Sequence, residues 1–292
     1  MSDEARIEEW PLIAFTLGVQ FACGMLLAAV SVDTLGSWAD VAPARPLGLV
    51  VFPSIAVATL CSLFHLGRPL DAWKSILNLA GSRLSQEVVL TGLFAAAALP
   101  YSAMWYGGIV GVRPQWGIAT AVLGIAAVAC GASIYVVPGR PAWNSWWVPM
   151  SFVGAVLLLA GSASALLVNA AGAQDLVQVL LAATVAGSLL QVVSALWMLS
   201  TASTVVRRQS VTTGGQDVRV LRRSSQRWSF ALHLLLAGML PACLAVWLWI
   251  AGPAGAQPVN GAVLSLVVLA PLAGTVLGRR LMFTLGASAS RF

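Results

Sequence analysis

The sequence contains few charged residues, few histidines and few cysteines. Of its 292 residues only 9% are charged, two are histidines and four are cysteines, whereas 59% are hydrophobic. An ordinary soluble domain has roughly 25% charged residues. Together with a mean hydropathy of +0.87, this composition indicates an integral membrane protein. We expect no soluble domain and no nucleic-acid partner.

The cysteines are too scattered to hold a metal centre. Cys23, Cys61, Cys130 and Cys243 lie in four separate apolar runs, and no two of them form a CxxC pair. Iron–sulfur clusters and structural zinc sites need cysteines at short, defined spacings. We therefore expect no metal and no iron–sulfur cluster in this chain, and we interpret the cysteines as small buried hydrophobic residues.

The two histidines, His65 and His233, are also too few for the usual haem arrangement. Membrane cytochromes hold haem b between two histidines on facing helices. A protein with two haems would need four such ligands, and one haem would use both histidines of this chain. We therefore expect no haem, and we interpret His233 as a packing histidine inside an apolar run.

Long apolar runs are abundant. A helix needs about 20 mostly apolar residues to cross a bilayer, and eight runs of this length are separated by short polar breaks. The predicted fold is an all-α integral membrane protein, a single domain of residues 1–292 with eight transmembrane helices in two four-helix bundles. The predicted spans are 11–32, 47–66, 86–107, 116–137, 146–168, 177–201, 228–251 and 260–283.

Basic residues are divided unequally between the two sides of this arrangement. With eight spans, both termini share one side with the second, fourth and sixth connections, and fourteen of the sixteen lysines and arginines fall there. The positive-inside rule predicts that this side, with both termini, is cytoplasmic. The acidic start of the chain lacks a basic leader, so we expect no cleavable signal peptide.

The longest connection, residues 202–227, is a basic cytoplasmic segment with six arginines and Asp217. Contact with anionic membrane lipid explains such a charge excess, and docking to an acidic partner is the alternative. Glycine-arginine pairs at 67–68, 139–140 and 278–279 lie near helix ends on the same side. We interpret these arginines as headgroup anchors.

Ionisable residues at membrane depth are the first candidates for function. His65 ends the second predicted span, Glu87 begins the third, and Arg68 lies one turn beyond His65. Histidine titrates near neutral pH, so such a pair at the water boundary could hold a polar headgroup and exchange protons with it. The alternative is that Glu87 caps its helix while His65 bonds to a backbone carbonyl.

A second polar cluster lies in the connection YVVPGRPAWNSWW, residues 135–147, between the fourth and fifth spans. It contains Tyr135, Arg140, Trp143 and Asn144, and its two prolines force an irregular backbone. Irregular backbone at membrane depth is tolerated where protein or a cavity covers it. The cluster is either part of the wall of a binding site or a stiff interfacial turn.

These stretches resemble the membrane anchor subunit of the dimethyl sulfoxide reductase family (DmsC type), an eight-helix relative of the polysulfide reductase anchors. The pairing HLG-x-P with LS-x-E is the specific part of the resemblance. The matching stretches are EWPLIAFT (9–16), FHLGRPLDAWKSILNL (64–79), SRLSQE (82–87), PAWNSWWVPMSF (141–152) and GRRLMF (278–283).

The resemblance implies an anchor in the bacterial inner membrane that exchanges electrons between menaquinone or ubiquinone and an iron–sulfur partner subunit. That partner connects it to a molybdenum catalytic subunit in anaerobic respiration, and no haem is expected in this branch. The histidine and glutamate that the family uses for quinone binding fall on His65 and Glu87. We expect the site to be completed by these residues: Arg68, Trp73, Lys74, Tyr135 and Asn144.

The direction of electron flow stays open at this stage. A dimethyl sulfoxide reductase takes electrons from quinol, whereas a sulfite dehydrogenase with a similar anchor delivers them to quinone. A purely structural anchor and a proton-coupled membrane transporter are the remaining alternatives. Transporters tend to have related halves and paired charges inside the membrane, and the sequence shows no convincing internal repeat and no charge at the centre of a span.

Overall fold

The computed structural model describes residues 10–35, 44–64, 74, 78–138, 142–213, 224–251 and 261–288. Within these residues all regular structure is helical. The first six helices are α1 (Trp10–Leu35), α2 (Arg45–Leu63), α3 (Arg83–Gly107), α4 (Arg113–Tyr135), α5 (Trp147–Ala170) and α6 (Gln174–Thr213). Next come α7 (Ser224–His233), a π-helix (Leu234–Met239), α8 (Leu240–Ile250) and α9 (Gly261–Ser288).

Eight membrane-spanning segments are confirmed in the described part of the chain. Helices α1 to α6 supply the first six, α9 supplies the eighth, and each is long and apolar enough to cross a bilayer. The seventh consists of α7, the π-helix and α8, which run on without a break. A π-helical turn inside an α-helix is rare and often accompanies a functional site.

Helix ends differ from the predicted ones where local capping decides them. Helix α3 begins at Arg83 rather than at residue 86, because the Ser82 side chain accepts a hydrogen bond from the Ser85 amide (3.3 Å). Ser82 is thus the helix cap, and the alternative in which Glu87 caps α3 is wrong. Helix α6 continues to Thr213 and includes the first part of the connection predicted at residues 202–227.

The packing links the early and late spans through α1. Helix α1 contacts α2, α4 and α5, and α3 contacts α2 and α4. Helix α5 packs on α6 and α9, while α8 contacts both α6 and α9. The division of these spans into two four-helix bundles stays a prediction.

Helix α3 packs large residues against glycines of α4, and both the large residues and the glycines are spaced seven residues apart. A Cβ atom at Gly117 would lie 2.8 Å from the Tyr101 ring, and one at Gly124 would lie 3.3 Å from the Phe94 ring. Small residues let membrane helices approach closely, and close packing drives their association because lipid is as apolar as the helix surface. One heptad further along this interface, the large residue is Glu87.

A buried ion pair joins α1 to α4 at the end of the molecule where α3 ends. Arg113 donates from Nη2 to Asp33 Oδ1 (2.6 Å) and from Nε to Oδ2 (2.9 Å), and its guanidinium lies 3.6 Å from the centre of the Trp105 ring. The Arg113 and Asp33 side chains are only 3% and 2% exposed. Arg113, one of the two basic residues assigned to the outer side, therefore serves helix packing.

Candidate functional site

Glu87 lies about one turn into α3 and is 8% exposed. Its carboxylate points at α4, because a Cβ atom at Gly131 would lie 2.6 Å from Glu87 Oε1 and 3.8 Å from Cε1 of Phe152 on α5. Among the described residues no side chain or backbone amide donates a hydrogen bond to this carboxylate. A buried ionisable group without such a partner is costly and marks a functional residue.

An aromatic cluster joins the end of α4 to α5, to α9 and to the connection after α4. Its members are Tyr135, Trp143, Phe152 and Phe283, with the Tyr135 ring 5.2 Å from Trp143, 5.9 Å from Phe152 and 5.8 Å from Phe283, centre to centre. The Trp143 indole donates to the Met282 carbonyl (2.8 Å). The cluster therefore fixes the connection after α4 against α9 and holds Tyr135 within electrostatic range of Glu87.

Arg279 contacts this cluster at Phe152. The interpretation of Arg279 as a headgroup anchor is wrong. It is 4% exposed, its Nη2 donates to Gln20 Oε1 (2.9 Å), and its guanidinium lies 3.7 Å from the centre of the Phe152 ring. In the described part of the chain no carboxylate pairs with it. Arg280, the next residue, is exposed.

Gln20 is the hydrogen-bond partner of Arg279 in the protein interior. It is 1% exposed on α1, and its Nε2 has no hydrogen-bond partner among the described residues. A glutamine within an apolar span was the sequence signal for this interaction, since a buried amide needs a polar partner. Sequence reasoning did not use it, because two adjacent arginines at a span end resemble headgroup anchors.

His233 belongs to a separate polar cavity in the second half of the molecule. Its Nδ1 lies 2.8 Å from the Gly274 carbonyl oxygen, and the ring is 4% exposed. The cavity has a volume of about 20 Å³, room for about one water molecule. Its polar lining comes from Ser151, Gln191, Ser194, His233, Thr275 and Arg279. This geometry agrees with the interpretation of His233 as a packing residue.

A larger cavity of about 690 Å³ opens between α4, α5 and α1. Polar groups line one end of it, from Arg83, Asn144, Ser145 and Trp146, and its remaining wall is largely apolar and includes Phe152. Arg83 is fixed at this end by its hydrogen bond to the Ser133 carbonyl (2.6 Å). Ligand pockets typically measure about 300–1,000 Å³, so a small-molecule headgroup fits this cavity.

The structure brings only some of the predicted site residues together. Glu87 and Tyr135 are both buried near Phe152, and Asn144 is exposed at the polar end of the larger cavity. Lys74 is exposed. The other three, His65, Arg68 and Trp73, lie outside the described residues, so their place in the site stays a prediction.

The described residues contain no group of three or more histidine, cysteine or acidic side chains that could hold a metal ion. What they contain is one buried carboxylate, an aromatic cluster and a cavity with a polar end, inside an eight-span helical protein. Together these features form the candidate functional site of a helical membrane protein.

A family model described as DMSO reductase anchor subunit (DmsC) matches residues 4–285. The chain belongs to this family, as the sequence resemblance predicted. It is 27% identical over 173 residues to the anaerobic dimethyl sulfoxide reductase chain YnfH of Escherichia coli K12, a match that covers 56% of this chain and 58% of that protein.

Two further relatives are anaerobic dimethyl sulfoxide reductase chains C. The chain from Escherichia coli K12 is 29% identical over 154 residues, which is 49% of this chain and 52% of that protein. The chain from Haemophilus influenzae Rd is 28% identical over 158 residues, which is 51% of this chain and 55% of that protein. The chain thus matches little more than half the length of each of these curated relatives.

Proposed function

We propose that this chain is the membrane anchor and quinone-reactive subunit of a molybdenum and iron–sulfur oxidoreductase complex. It exchanges electrons between menaquinone or ubiquinone in the bacterial inner membrane and an iron–sulfur partner subunit, which connects it to the molybdenum catalytic subunit. Membership of the anchor family supports this assembly. The chain is thereby part of an oxidoreductase without being its catalytic subunit.

The observation that carries the quinone role is the buried carboxylate of Glu87. In the α3–α4 interface the equivalent positions are the aromatic rings of Phe94 and Tyr101, which pack on glycines as Glu87 packs on Gly131. A purely structural anchor would gain packing from a third aromatic residue there and would avoid the cost of burying a carboxyl group. Glu87 is therefore better explained by proton exchange than by assembly.

Glu87 supplies the proton chemistry that a two-electron carrier needs. Oxidation of a quinol releases two electrons, which pass to the iron–sulfur partner, and two protons, which Glu87 transfers toward the aqueous boundary. Quinone reduction is the same exchange in reverse. His65 holds one ring oxygen, Arg68 and Lys74 orient the connection, and the headgroup lies near the ends of α2 and α3.

Two candidate functions remain, which differ in the direction of electron flow. The chemistry of the anchor is the same in both. In quinol oxidation the complex would resemble the dimethyl sulfoxide reductases whose chains are similar to this one. In quinone reduction it would resemble a sulfite dehydrogenase. The proton-coupled transporter is a weaker candidate, since two of the buried charged residues, Asp33 and Arg113, pair with each other.

Replacing His65 with alanine is expected to weaken binding of a quinol analogue to the purified complex roughly tenfold, because one hydrogen bond to the ring is lost. The measurement is a fluorescence titration with a quinol-site inhibitor. Thr59→Ala, in α2, removes only a hydroxyl that bonds to the Ile55 carbonyl of the same helix and should bind normally. Equal binding by both variants would remove His65 from the site.

The orientation of the chain in the membrane is a separate prediction, based on the unequal distribution of basic residues between the two sides. We expect both termini and the segment 202–227 to be cytoplasmic. Alkaline phosphatase fused after Gly215 should then be inactive, and the same enzyme fused after Gly111, between α3 and α4, should be active. Full phosphatase activity after Gly215 would contradict the proposed orientation.

A further inference from the structure

The 690 Å³ cavity shares part of its wall with a second groove. This second groove has a volume of about 390 Å³ and lies between α1, α5 and α6. Both are lined by Leu27 of α1 and by Val156 and Leu157 of α5. We call the two together the α1–α5 trench.

The trench is polar at one end only. Arg83, Asn144, Ser145 and Trp146 surround its wide end, and Ser31 is the one polar residue of the narrow part, which is otherwise aliphatic or glycine. From Pro149 to Gly161 on α5 it extends ~18 Å along the helix axis at 1.5 Å per residue. The hydrocarbon core of a bilayer is ~30 Å thick, so the trench reaches from a polar boundary deep into the membrane.

Small residues keep the narrow part open. Gly24, Ala28, Ala160, Gly161 and Ala183 supply much of its wall, and a Cβ atom at Gly24 would collide with Ala160 and the Val156 carbonyl. Two helices that approach this closely leave a groove beside their contact, because no side chain extends to fill it.

We propose that the α1–α5 trench binds the isoprenoid tail of the quinone, with the ring at the polar end beside Arg83 and Asn144. This inference rests on the proposed function and adds the path of the ligand. It is supported by three independent features: the wall that the two cavities share, the charged and amide side chains at one end alone, and Phe152. The Phe152 ring lines the wide cavity and also borders the Glu87 side chain through Gly131.

The polar end offers the groups that a quinone ring needs. The amide of Asn144 and the guanidinium of Arg83 are hydrogen-bond donors at the rim, and both suit carbonyl oxygens. An aliphatic trench suits a long tail but adds little affinity in lipid, where packing contacts are individually modest. Tail binding should therefore guide and orient the quinone rather than dominate its affinity.

The test is the dependence of turnover on tail length. Ala183→Trp fills the narrow part of the trench, and the adjacent exposed Ala182→Trp adds the same side chain outside it. Each purified complex, in proteoliposomes, is assayed with a quinol bearing a full isoprenoid tail and with a short-chain analogue of the same ring. Ala183→Trp should raise KM for the long-tailed quinol roughly three- to tenfold and leave KM for the short analogue unchanged.

The outcomes separate this inference from the proposed function. Equal kinetics of Ala183→Trp and Ala182→Trp with both substrates would overturn tail binding, and would mean that membrane lipid alone occupies the trench. Failure of the wild-type complex to react with either substrate, as quinol or as quinone, would instead overturn the proposed function. If Ala183→Trp does not assemble, Leu157→Trp, where the two cavities meet, gives the same comparison.

Discussion

Replacing Glu87 with glutamine is expected to lower quinone-linked turnover at least ~100-fold, the usual contribution of a positioned proton-exchanging group. Glutamine has nearly the same size and keeps the contact with Gly131, but it cannot accept a proton. The catalytic subunit should keep its activity with a soluble dye, because dye donates or accepts electrons without the membrane site. The measurement is turnover of the purified complex with quinol and with dye in parallel.

The neighbouring residue provides the control. Gln86 lies on the same turn of α3 and donates to the Leu79 carbonyl (2.9 Å), away from Gly131. Gln86→Ala should keep quinone-linked turnover near that of the wild type. If Glu87→Gln retained full turnover with quinol, Glu87 would be an assembly residue, and the proton-exchanging group would have to be sought toward Tyr135 and Asn144.

Replacing Asp33 with alanine should cause the largest loss of stability, about 3–5 kcal/mol, since removal of one member of a buried ion pair leaves the other charge uncompensated. The remaining Arg113 would keep its position over Trp105 but would lose its three hydrogen bonds to the carboxylate. The expected result is poor accumulation in the membrane and a lower unfolding temperature in detergent.

A double variant separates the charge from the packing. Asp33→Leu combined with Arg113→Met replaces the pair by apolar residues of similar volume, a change that is often neutral or stabilising for buried pairs. We therefore expect the double variant to be more stable than Asp33→Ala. If Asp33→Ala unfolded at the wild-type temperature, the ion pair seen between α1 and α4 would contribute nothing to stability.

The eight spans were predictable because length and hydropathy alone decide whether a segment can cross a bilayer. The position of their ends was not, because a single hydrogen bond between Ser82 and Ser85 moves the start of α3 outward. The continuation of α6 to Thr213 was also missed. The hydropathy of the sequence falls in this last part of α6, so it marks the end of the membrane span. It does not mark the end of the helix, because a helix can continue into water after it leaves the membrane.

The helix that carries Glu87 was predictable, whereas the helix that Glu87 faces was not. The direction in which the Glu87 side chain points depends on the contact of α3 with α4, and the hydropathy of the sequence does not reveal that contact. The heptad of Gly117, Gly124 and Gly131 was visible in the sequence and was the available signal. Arg279 shows the opposite case, since two adjacent arginines point in different directions on a helix and only tertiary contact with Gln20 identifies the buried one.

The most direct test of the central claim is rapid mixing of the purified complex with a long-tailed quinol, with the iron–sulfur clusters of the partner subunit observed by electron paramagnetic resonance. The account predicts cluster reduction by quinol, or cluster oxidation by quinone when the reduced complex is mixed with it, and loss of this electron transfer in Glu87→Gln. If the wild-type clusters exchanged electrons with dye but with neither quinol nor quinone, this chain would be an anchor without a quinone site.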